Sequence, residues 1–168
     1  MFEKKARPKI RPPRKFPDRV LEVIAMIAII VGIVLVVQAW GTLPQTIPTH
    51  FDAAGNADDW GPKGMIWLLP AISVVMIPFM LIFRRFPWLS NTPVKITEEN
   101  AEYQYGLIVR LLNVLACVVS LLFLALLNDT ISIAGGGASL LGSWFMPIFI
   151  APIVVTLLWY FVSAMRRR

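Results

Sequence analysis

His50, Asp52, Asn56, Asp58 and Asp59 crowd into one polar segment, and their nitrogen and oxygen atoms are the ones best suited to chemistry outside lipid. Carboxylates clustered beside an imidazole could hold a cation or move a proton. The spacing argues against both. Read from Asp52, the calcium-loop pattern D-x-[DN]-x-[DN]-G fails at Ala54 and Ala57. A zinc site needs more histidine or thiolate ligands, and the chain has one histidine, His50, and one cysteine, Cys117. No G-x-S-x-G, H-E-x-x-H or other nucleophile–base pattern is present. The expectation is a non-enzymatic protein with no catalytic residues, no metal and no cofactor.

The segment does fit turn formation and recognition. Residues 43–64 read LPQTIPTHFDAAGNADDWGPKG, punctuated by proline and glycine. Asp52-Ala53-Ala54-Gly55-Asn56 and Trp60-Gly61-Pro62 carry turn chemistry, so this loop is expected to fold back on itself. Capped by Phe51 and Trp60, it would sit as a lid on the outer mouth of a helix bundle. The candidate binding residues are His50, Phe51, Asp52, Gly55, Asp58, Trp60 and Lys63. For His50, a ligand contact and a hydrogen bond that pins the lid are equal alternatives.

A second constellation is the stripe Tyr103, Gly106, Arg110, Asn113, Cys117 and Ser120, recurring at spacings of three and four. Small and polar residues on one stripe suit a helix–helix contact in lipid. Arg110 is its costly member, about 7 Å inside the boundary at about 1.5 Å per residue. Glu22 falls at the same depth of another apolar run. A Glu22–Arg110 pair, with Asn113 beside it, is the expected intramembrane polar contact, because paired charges lower the burial cost.

The elements that must position these groups are long apolar runs. The chain has 168 residues, 57% of them hydrophobic, and a mean hydropathy of +0.69. Val20–Trp40, Met65–Phe83, Tyr105–Leu127 and Leu140–Met165 are each long enough to cross a bilayer core, which takes roughly 20 apolar residues. They lack period-two alternation, so helices rather than barrel strands are expected. The fold class is therefore all-α: an integral membrane four-helix bundle in one domain over 20–168, with helices near 20–40, 65–83, 98–127 and 140–165. Thr97 is the expected N-cap of the third helix, with Glu98 and Glu99 at the positive end of its dipole. Cleavage after Val37-Gln38-Ala39 is the rival reading of the first run. That run exceeds the usual h-region of about 7–15 residues, and a retained helix is expected. Trp67-Leu68-Leu69-Pro70 and Trp144-Phe145-Met146-Pro147 form a faint echo at the starts of the second and fourth helices.

Charge sets the orientation. Of 16 lysines and arginines, all but Lys63 and the intramembrane Arg110 fall on one side of a four-pass arrangement. This positive-inside bias places both termini in the cytoplasm. The tail, residues 1–19, is basic and proline-rich, and is expected to be disordered against anionic headgroups. Lipid electrostatics accounts for it without nucleic acid. Cys117 has no partner for an intramolecular disulfide.

The pattern LP-x-x-IP-x-HF-x-x-x-G-x-x-D-x-W-G-x-K, from Leu43 to Lys63, resembles the signature of a bacterial membrane domain of unknown function found at the N-terminus of SdpI-type immunity proteins. The stretch from Asn91 to Tyr105 looks like a second segment shared by short four-helix members. His50, Gly55, Asp58, Trp60, Gly61 and Lys63 carry the match. The resemblance implies a multi-pass protein of a bacterial cytoplasmic membrane that gives immunity to a toxic peptide or signals through a repressor. The resemblance is to a short four-helix member, expected to lack the additional C-terminal helices of the founding example. The expected partners are the lipid bilayer and an extracytoplasmic peptide, lipid or membrane protein met by the loop. The runner-up is a small transporter or accessory subunit of a transport complex, with Glu22 and Arg110 lining its path. The oligomeric state is left open by the sequence.

Overall fold

The computed structural model describes residues 7–139 and 142–167. The expectations that fall on Lys4, Lys5, Leu140, Leu141 and Arg168 lie outside the described residues. The element order is α1 (Phe16–Ala39), β1 (Thr46–Phe51), β2 (Ala57–Pro62), a 3-10 turn (Lys63–Trp67), α2 (Leu68–Phe83), α3 (Ala101–Ala134), a 3-10 turn (Gly142–Trp144) and α4 (Phe145–Arg166). Four helical segments are long and apolar enough to span a membrane, as expected.

The helix starts and the end of α3 differ from those expected, while the ends of α1, α2 and α4 fall within one residue of them; hydropathy marks the lipid-facing stretch, whereas hydrogen bonds mark where a helix begins and stops. Helix α1 starts at Phe16. Pro17 suits the first turn, and Asp18 Oδ2 accepts from Lys15 N at 3.1 Å, satisfying a donor that the helix start leaves open. Thr97 is not the N-cap of α3. The helix begins at Ala101, after a turn in which Thr97 N donates to Asn100 Oδ1 and Asn100 N to Thr97 Oγ1, at 2.9 and 3.3 Å. The other end of α3 runs on through Asn128, Asp129 and Thr130 to Ala134. Those polar residues read as a loop in one dimension, yet Asp129 and Thr130 are buried.

The tail is not disordered throughout. Residues 7–15 lie against the bundle: Arg7 donates to the Ser90 carbonyl at 2.6 Å and the Tyr105 hydroxyl to the Pro8 carbonyl at 2.9 Å. We call this the tail end of the bundle and the opposite one the hairpin end.

Helix α3 is the axis of the molecule. Its 34 residues extend about 51 Å at about 1.5 Å each, more than the roughly 30 Å of a hydrocarbon core. It packs against α1, α2, α4 and β1. Three apolar clusters are stacked along it: Tyr105, Ile108 and Tyr160 near the tail end, Ala25, Ile77 and Ala116 in the middle, and Val36, Ile47 and Leu127 beneath the hairpin. On α1, the small residues Ala25, Ala28 and Gly32 are buried, and small residues let helix backbones approach.

The exterior carries many large apolar side chains. Ile30, Val75, Val155 and Leu158 are exposed, while Asp18, Gln104, Asn113 and Asp129 are buried. In water this distribution would be unfavourable; against acyl chains it costs nothing. Helix α4 is the extreme case, with few buried residues and Ala164 and Tyr160 as its contacts to the core cluster.

Candidate functional site

The segment between α1 and α2 is an antiparallel β-hairpin, β1–β2. It folds back as expected, but by strand pairing as well as turns. Pro48 faces Trp60 and Ile47 faces Gly61, with irregular pairing on either side of His50. Ile47 anchors the hairpin: its side chain is 1% exposed and packs with Val36, Leu43, Ile66 and Leu127. The adjacent strand must come close, and a Cβ on Gly61 would stand 2.8 Å from Thr49 Cγ2.

The turn is built by Asp52. Its Oδ1 accepts from Ala54 N and Asn56 N, both at 2.8 Å, and Oδ2 accepts from Asn56 Nδ2 at 3.1 Å. Hydrogen bonds from Asn56, backbone first and then side chain, hold the Asp52 carboxyl below the usual carboxylate range. Gly55 has φ of +80°, a conformation open to glycine at little steric cost. A Cβ there would also lie 2.6 Å from the Gly142 carbonyl oxygen, so the hairpin tip rests on the turn that leads into α4.

On the hairpin surface, His50 Nδ1 lies 2.6 Å from Asp58 Oδ1 across the strands, with the two side chains 67% and 46% exposed. Trp60 is also exposed. Lys63 Nζ lies 4.5 Å above the Trp40 ring, and Trp40 meets Trp67 at 6.1 Å between centroids. Beneath β1 opens a groove of about 250 Å³. Pro48, His50 and Phe51 form one wall, Met65, Leu68 and Leu69 another, and Leu126 and Thr130 of α3 the floor.

The seven candidate residues therefore divide. His50 and Phe51 border the groove, Asp58 braces His50, and Trp60 stands on the exposed face. Asp52, Gly55 and Lys63 instead build and seat the hairpin. Leu68, Leu69 and Leu126 escaped the sequence reading because apolar residues in membrane runs carry no local sign of lining a groove.

At the tail end the expected Glu22–Arg110 pair is not formed. Arg110 Nε donates to Asp18 Oδ1 at 2.5 Å, and Glu22 is held by Arg84, whose Nη2 donates to Oε2 at 2.8 Å. Asp18 and Glu22 are four residues apart on one helix face. Asp18 precedes the apolar run and so reads as part of the tail, and the folded α1 brings it to α3. The Pro17-Asp18 pair at a helix start was the available signal. Asn113 is 0% exposed, and its Oδ1 and Nδ2 meet no hydrogen-bond partner among the described residues. Gln104, also missed, donates from Nε2 to the carbonyls of Ala164 and Arg167 at 3.0 and 2.6 Å, tying α3 to the end of α4. Among the described residues no group of acids, histidine and cysteine could hold a metal ion.

Residues 26–74, from within α1 through the hairpin to the start of α2, match a family described as a domain of unknown function (DUF1648). The chain is also 33% identical over 78 residues to an uncharacterized protein of the archaeon Archaeoglobus fulgidus, a match covering 38% of this chain and 43% of that relative. The chain thus aligns with less than half of the relative's length. No solved structure matches. The family match contains the hairpin with the later part of α1 and the start of α2, and α3 and α4 lie beyond it.

Proposed function

We propose that this is a non-enzymatic recognition protein of a bacterial cytoplasmic membrane, whose hairpin meets an apolar peptide on the outer face while both termini lie in the cytoplasm. The observation that carries the reading is the groove under β1. Its walls are apolar, it opens beside the lipid-facing surface, and the exposed His50–Asp58 pair stands at its rim. Apolar concavity with a few convergent polar groups is the general form of a binding site. An apolar peptide side chain would fill the groove, and Asp58 or His50 would take a hydrogen bond or a positive charge from the peptide backbone or terminus. The likeness of the Leu43–Lys63 pattern to SdpI-type immunity proteins supports a peptide over a free lipid.

The test is photo-crosslinking from Thr49 in native membranes, with a Leu68→Trp variant that fills the groove without touching the hairpin turn. A peptide adduct present in wild type and lost in Leu68→Trp supports the reading. Adducts identical in the two, at equal expression and thermal stability, would leave the groove without a recognition role.

A transport role is the second reading, favoured by the Asp18–Arg110 pair and the unpartnered amide of Asn113 along α3. Proton or solute flux through vesicles, abolished by Asn113→Leu, would replace the first reading with this one.

A further inference from the structure

At the tail end, Pro12 and Val109 border two cavities of different charge. The larger, about 550 Å³, sets Lys15, Arg110 and Arg167 against Asp18, Glu99 and Glu102. The smaller, about 200 Å³, is walled by Arg11, Arg14, Arg84 and Arg85, with no acid among the described residues of its lining.

The carboxylate that reaches this arginine cluster is Glu22. It engages Arg84 through both oxygens and lies 3.8 Å from Arg14. Arg11 and Arg85 make no ion pair among the described residues. Arg11 is instead held over the Phe86 ring, 5.8 Å from its centroid. Among the described residues, four guanidinium groups against one carboxylate leave an excess of three positive charges around the space. Like charges this close repel, the more so beside low-dielectric lipid. An anion entering the cavity removes that repulsion and gains charge-assisted hydrogen bonds from the guanidinium forks.

The position of the cavity indicates where the anion comes from. Arg84 and Arg85 directly follow the last residue of α2, Phe83, so they stand where the apolar run stops. Phe79 and Ile82 are exposed within two turns of them on the same helix. A phosphate at this level would have its acyl chains in the bilayer. We propose that the Arg11–Arg14–Arg84–Arg85 pocket binds the phosphate of an anionic phospholipid. This site is independent of the hairpin groove at the other end of the bundle.

Native mass spectrometry of the detergent-purified full chain tests it, with phosphatidylglycerol, phosphatidylcholine and soluble glycerol phosphate as the three probes. Wild type is expected to retain phosphatidylglycerol in preference to phosphatidylcholine. Arg11→Gln with Arg85→Gln removes two arginines that do not support Glu22, and is expected to weaken retention about ten-fold or more. Arg19→Gln with Arg166→Gln removes the same charge away from the pocket and leaves retention unchanged. Arg85→Gln alone, at an exposed position, gives a reading should the double variant not fold; it is expected to weaken retention without lowering the melting temperature. Equal loss in both double variants, or no preference for phosphatidylglycerol, overturns the pocket. Glycerol phosphate displacing the lipid at equal concentration would make a soluble phosphate the ligand and overturn the lipid assignment.

Discussion

Arg110 on α3 and Asp18 in the first turn of α1 are joined by a 2.5 Å hydrogen bond between Nε and Oδ1, and Asp18 is almost fully enclosed, its side chain 5% exposed. The two residues are 92 positions apart in the chain. The bond secures the tail end of α1 to the central helix, one turn above the separate Glu22–Arg84 pair.

Breaking this bond from one side leaves a charge enclosed without its partner. Arg110→Met is expected to destabilise the fold by about 3 kcal/mol, while Asp18→Leu with Arg110→Met recovers much of that loss. A double-mutant cycle on reversible unfolding in detergent checks it. Asp18 and Arg110 should couple strongly, and Glu22 and Arg110 weakly. Strong coupling of Glu22 to Arg110 would contradict the pairing seen here.

Gly55→Ala introduces both a strained backbone and a clash with the Gly142 carbonyl. A destabilisation of about 1–3 kcal/mol is expected from the conformation alone. Gly64→Ala, where an added Cβ meets nothing within 4 Å, serves as the comparison and should leave the melting temperature within a degree or two of wild type.

The Asp52 turn gives the hairpin a pH dependence. Its carboxyl titrates below the unfolded value because Asn56 and Ala54 hydrogen-bond to the charged form. Its contribution is therefore complete above the unfolded carboxylate pKa of about 4 and is lost as pH falls through the lower folded value. Hydrogen exchange at the Ala54 and Asn56 amides should accelerate in that acid window relative to the other hairpin amides. Asp52→Asn should abolish the difference; if it persists in the variant, another acid controls the turn.

Lys63 is expected to act through its charge over Trp40. Lys63→Met should lower stability by about 0.5–1 kcal/mol, and Lys63→Arg should retain most of it. Near-ultraviolet circular dichroism of the Trp40–Trp67 pair reads the same contact. An unchanged signal and melting temperature in Lys63→Met would free Lys63 for a role in binding.

The sequence by itself determined the four apolar helices, the reversal of the segment between the first two, and the turn at Gly55; Gly61, read there as a turn, lies in β2. These follow from properties that act locally: twenty apolar residues in a row need lipid whatever their neighbours, and a turn signals itself in adjacent residues. The Trp67 and Trp144 echo was legible for the same reason, since each tryptophan closes a 3-10 turn and immediately precedes its helix. Only the tertiary structure decided who partners whom. Asp18 rather than Glu22 meets Arg110 because α1 starts a turn earlier than its hydropathy, and of two acids on one helix face the one nearer the helix start lies level with Arg110. Lys63, read as a binding residue, is turned to Trp40, and the groove beneath β1 is made of leucines that look like any others along the chain. Membrane helices owe their existence to hydropathy, a sum over neighbouring residues, but their contacts depend on rotation and axial offset between helices, and those are set by packing among residues far apart in the chain.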